Sequence, residues 1–169
     1  MRTLLYLSLV LPLLGGRLWT KASGSNPRPD GPVTSYEYRY SGTMRFPLHY
    51  YELKRDDAGA LCLGWSDGEE EIFVIRVPED ALERIGTLVR QYKLHKLKNS
   101  SWPRMEILDG YGWHVYIRFQ KDGISSGGTN AWPPEKLDAG IAAINGYLRS
   151  LIDASTEADI LRVESHLDR

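Results

Sequence analysis

The sequence predicts an α+β fold: a two-layer sandwich in which two helices cover one face of a mainly antiparallel sheet of about six strands, in the order ββββ-α-ββ-α. Three observations predict it. Short stretches rich in Tyr, Val, Ile and Trp alternate apolar with polar residues, the period of a half-buried strand. Two longer segments carry apolar stripes at helical spacing, and each stripe needs a sheet face to cover it. Turn signals join the strands as a run of four and a run of two, so neighbours run antiparallel.

The elements follow in order. "VTSYEYRYSGTM" places Tyr36, Tyr38 and Tyr40 on one side and Glu37 and Arg39 on the other. "PLHYYELKR" is a second strand. A turn at Asp56–Gly59 leads to a third, with Leu61, Leu63 and Trp65 on one face. Asp67-Gly68 is a hairpin signal, and "EIFVIRV" is the fourth strand. Pro78 opens a helix with Glu79, Asp80 and Glu83 in its first turns and Lys93, Lys96 and Lys98 at its end. Both charge signs suit the helix dipole, and Leu82, Ile85, Leu88, Val89 and Tyr92 form its stripe. "WHVYIRFQ" turns Trp113, Val115, Ile117 and Phe119 one way and His114, Tyr116, Arg118 and Gln120 the other. "KDG" then leads into a short strand, "ISSGG". A second helix from about Pro134 to Ile152 carries Leu137, Ile141, Ile144, Leu148 and Leu151 in steps of four and three.

The flanks read differently. Leu4–Leu14 is apolar except for Ser8 and Pro12, too short to span a bilayer and suited to a secretory leader. Thr20 and Ala22 offer a cleavage site, so residues 1–22 are expected to be removed, with Gly16 as the alternative cut and an uncleaved membrane-anchoring helix as the alternative to export. Residues 23–32 are expected to be a flexible linker, 33–153 a single domain, and 154–169 a frayed polar tail. Loss of Arg2, Arg17 and Lys21 from 21 basic residues leaves 18 against 22 acidic, a net charge of −4. That balance, with no long basic run, argues against nucleic acid as a partner. After cleavage no membrane segment is expected, and the location is periplasmic or extracellular. The single cysteine, Cys62, excludes an internal disulfide.

The stretch "GISSGGTNAWPP", Gly123–Pro134, invites a phosphate-loop reading. Its Gly127 and Gly128 are adjacent, Trp132-Pro133-Pro134 delays the helix, and no P-loop lysine follows. It reads as a strand end, a loop fixed to the core by Trp132, and a helix started by Pro134. A catalytic alternative is a small hydrolase in which His114, on the preceding strand, acts as base for Ser125 or Ser126, although the stretch is not a nucleophile elbow. His49, His95, His114 and His166 show no metal-ligand spacing, and neither a metal nor another cofactor is expected. Cys62 reads as a small core residue.

The polar side of the fifth strand and the loop after the sixth supply the binding candidates Tyr116, Arg118 and Trp132, for a protein, peptide or glycan partner. A third reading is an edge strand that accepts a partner strand. "YYELKR", "GWSDGEEEIFVIRVPED", "LDGYGWHVYIRF" and "SGGTNAWP" together resemble small, uncharacterised exported proteins of anaerobic gut bacteria, over roughly residues 33–152. The resemblance brings no catalytic or ligand residue with it. The sequence therefore points to an exported binding module rather than an enzyme.

Overall fold

A computed structural model describes residues 26, 28–42, 46–99 and 110–168. The expected leader lies outside the described residues. The fold is α+β, with one seven-stranded antiparallel sheet and two helices. In chain order the elements are β1 (Val33–Ser41), β2 (His49–Arg55), β3 (Leu61–Ser66), β4 (Glu71–Arg76), α1 (Ala81–Tyr92), β5 (Gly112–Phe119), β6 (Gly123–Thr129), α2 (Glu135–Asp153) and β7 (Ile160–Ser165).

The spatial order is β6-β5-β1-β2-β3-β4-β7. The first four strands form the expected meander, with Gly59 (φ 83°) and Gly68 (φ 84°) supplying the left-handed turn conformations that side chains disfavour. After β4, α1 carries the chain back across the sheet so that β5 pairs with β1, and β6 returns beside β5. α2 then crosses the full width of the sheet and delivers β7 to the outer edge of β4.

Both helices share one core with a single sheet face. Tyr36, Leu53, Leu63, Ile75, Val115 and Ile117 meet Ile85 and Val89 of α1 and Ile141, Ile144 and Leu148 of α2. Tyr36, Leu63, Val115, Ile117 and the helix residues lie on the faces the sequence pattern groups together, because strand alternation and helical spacing fix which side chains can leave water together. Leu53 and Ile75 join them in the structure. The helices touch where α2 carries Gly140, since a Cβ there would stand 2.6 Å from Tyr92 Cβ. Tyr36, fully buried, donates its hydroxyl to Asn145 Oδ1 at 2.6 Å and ties β1 to α2.

The expected strand count needs revision. The sheet has seven strands rather than six, because the expected frayed tail contains β7. Its Ile160 packs on the core and Val163 pairs with Phe73. The outer edge of β4 supplies backbone partners that no local pattern in the tail advertises. At the other flank, in the expected linker, Asn26 is buried, donates to the Leu97 carbonyl at 2.7 Å and accepts from the Ser125 N–H at 3.0 Å.

Candidate functional site

Among the described residues neither α1 nor α2 packs on the second sheet face, which presents the residues the alternation assigns to it. Around β5 these are His114, Tyr116 and Arg118, opposite Arg39, Glu37 and Ser35 of β1. Ion pairs join Arg39 to Glu37 at 2.7 Å and Lys54 to Glu52 at 2.8 Å. Farther along, Tyr50, Cys62, Ile72 and Val74 form a small buried cluster on this face. His166, just after β7, closes over it, edge-on to Tyr50 and with Nε2 2.8 Å from Ser66 Oγ. Cys62 is buried, and desolvation together with the Asp56 carboxylate raises its thiol pKa. That environment disfavours the nucleophilic thiolate.

The hydrolase candidates separate. His114 Nε2 lies 3.4 Å from Ser125 Oγ, both side chains on the open face. Partial burial lowers the His114 pKa, Glu37 opposing and Arg39 reinforcing the shift. A neutral imidazole within reach of a hydroxyl is the minimum a general base needs. Glu37, two residues along β1 from His114's partner Arg39, already holds Arg39. Ser126 points to the opposite face, is 1% exposed, and donates its hydroxyl to the Lys98 carbonyl. It is a structural clasp, out of reach of His114.

Tyr116 and Arg118 sit together, the guanidinium 5.5 Å from the ring centroid. They border a cleft of about 940 Å³. Its origin is a split in the sheet: β1 and β2 pair only from Tyr36 and Leu53 onward, while a bulge between Val33 and Ser35 turns the start of β1 toward β5. α1 roofs the opening with Glu83 and Arg90, and Lys54 and Arg55 form the far wall. An Arg55–Glu79 ion pair at 2.7 Å forms part of its lining. The cleft is the size of ordinary ligand pockets.

Trp132 belongs to a different surface, at the other end of the sheet and on its helix-covered side. Tyr40 lies within a group of rings there: His49 stacks at 5.9 Å, Tyr111 at 5.6 Å, and Trp132 is tilted at 5.7 Å. Trp113 stacks behind Trp132 at 6.5 Å. Tyr111 and Trp132 are half exposed. The surroundings fix them: Trp113 Nε1–H donates to the Ala131 carbonyl at 2.7 Å. The Asn130 N–H donates to the Tyr111 carbonyl at 2.8 Å, and Asn130 Oδ1 accepts from the Tyr111 N–H at 3.0 Å. A Cβ on Gly42 would stand 2.8 Å from the Tyr111 ring, so only glycine seats it. Asp67 borders the cluster, 3.3 Å from His49 Nδ1 and 2.7 Å from the Arg149 guanidinium.

The loop reading of Gly123–Pro134 is sharpened by this geometry. Most of it is β6, and the left-handed residue at the strand end is Asn130 (φ 50°), not a glycine. Gly127 is required for another reason: a Cβ there would stand 2.9 Å from the Trp113 carbonyl. The indole that fixes the loop is Trp113, which leaves Trp132 facing water. Tyr40, Tyr111 and His49 were not singled out as partners of Trp132, because the contacts join residues far apart in the chain.

Among the described residues no three His, Cys, Asp or Glu side chains gather as metal ligands, and no helix is long and apolar enough to cross a membrane. No protein-family model matches the chain, and the curated proteins contain no match to it.

Proposed function

We propose that the protein is an exported, non-catalytic binding module of the cell envelope or extracellular space, which holds a protein, peptide or glycan on the ring cluster around Trp132. The observation that carries this reading is that Tyr111 and Trp132 are 50% and 51% exposed and yet fixed by hydrogen bonds, stacking and a glycine seat. Rigid half-exposed aromatic rings give large contact area with little entropy left to lose on binding. Tyr116 and Arg118, at the mouth of the β1–β2 cleft, provide a second contact surface. The apolar run Leu4–Leu14 supports export. The reading calls for no cofactor, metal, nucleic acid or membrane.

The test is retention of fragmented source-cell envelope on the immobilised protein. Wild type is expected to retain a component that Trp132→Ala releases, with Tyr116→Ala weakening retention further if the cleft contributes. Equal retention by wild type and both folded variants would move the binding surface elsewhere.

A second reading, a small hydrolase, is favoured by the 3.4 Å approach of His114 to Ser125. Turnover of activated esters that disappears in both Ser125→Ala and His114→Ala would establish it. Turnover that persists in both would eliminate the pair.

A further inference from the structure

We infer that β7 pairs edge to edge with the β7 of a second copy of this chain, joining two sheets across a two-fold axis at Val163. Among the described residues β7 is the last strand of the sheet beyond β4. Such an edge presents backbone donors and acceptors to any strand that fits. Its side chains are unusually apolar for an outermost strand: Leu161 is 45% and Val163 50% exposed.

Charge selects both the partner and the register. Arg162 and Glu164 flank Val163 on the open side of the sheet, opposite Val74 and Ile72, and bond each other at 2.6 Å. In an antiparallel pair, directly opposite residues share a face. A two-fold axis at Val163 sets Arg162 against the second copy's Glu164, Glu164 against its Arg162, and the two valines together. An axis at residue 162 would oppose two arginines, and one at residue 164 two glutamates. A self-complementary patch of this kind is what an isologous dimer requires. Six residues a side bury less than the roughly 1,200 Å² of a standard stable interface, so the dimer is expected to be concentration-dependent.

The experiment is sedimentation velocity on the purified protein across a wide concentration range. Wild type is expected to shift from one to two chain masses as concentration rises. Arg162→Glu alone and Glu164→Arg alone each place like charges opposite and are expected to stay monomeric. Mixed together, they are expected to form a heterodimer, and the double variant Arg162→Glu/Glu164→Arg is expected to dimerise like wild type. Circular dichroism checks that each variant is folded. A monomer at every concentration would overturn the inference and make the charges a guard against edge pairing. A dimer unaffected by either single variant would overturn it too, by placing the contact on another surface.

Discussion

Replacing Trp132 and Trp113 separately by alanine distinguishes a ring held for a ligand from a ring held for the fold. The two indoles stack on each other at 6.5 Å, but Trp113 is 5% exposed and Trp132 51%. Truncating a buried aromatic costs about 3–5 kcal/mol. Trp113→Ala also leaves the Ala131 carbonyl without its indole donor, a further loss of about 1 kcal/mol. For Trp132, about half of a side chain of roughly 200 Å² is withdrawn from water. At about 25 cal/mol per Å² that gives an upper bound of about 2.5 kcal/mol. A realistic unfolded reference brings it nearer about 1.5 kcal/mol. With a urea slope of about 2 kcal/mol/M, the unfolding midpoint should fall by about 0.8 M for Trp132→Ala and by about 2–3 M for Trp113→Ala. Urea titration followed by far-ultraviolet circular dichroism measures both. Equal losses for the two variants would refute the reasoning, because Trp132 would then be a core residue.

Three further outcomes follow from named contacts. Tyr36→Phe removes the hydroxyl bonded to Asn145 and should cost about 1–2 kcal/mol in the same urea assay. Gly127→Ala should destabilise the β5–β6 hairpin, seen as faster amide exchange in β6, because its Cβ strikes the Trp113 backbone. His114 should titrate below 6.5 by NMR, since burial depresses it. Its contribution to stability is then fully present above pH 6.5 and is lost as pH falls through the folded-state value. A His114 pKa at or above 6.5 would contradict this.

What the sequence revealed follows from what its signals encode. The faces of β5 and α2 were legible because strand alternation and helical spacing depend only on neighbouring residues, and Val115, Ile117, Ile144 and Leu148 are buried as expected. β7 was not legible, because "ILRVES" is short, sits among charged residues and pairs with the distant edge of β4. Hairpin register sets His114 and Ser125 on one face of β5–β6 and sends Ser126 to the other. Trp132 was recognised as a feature, but its ring neighbours come from β1, β2 and the residues before β5, separations that no local pattern records. The cleft beside Tyr116 was equally hidden, since it exists only because β1 and β2 part company.

The most direct test of the binding account is a two-dimensional NMR spectrum of the indole N–H groups during titration with solubilised envelope fractions. The account predicts a shift of the Trp132 signal, with Tyr111 backbone resonances moving alongside it. An unchanged Trp132 signal, with changes confined to His114 and Ser125, would contradict it and leave the hydrolase reading in its place.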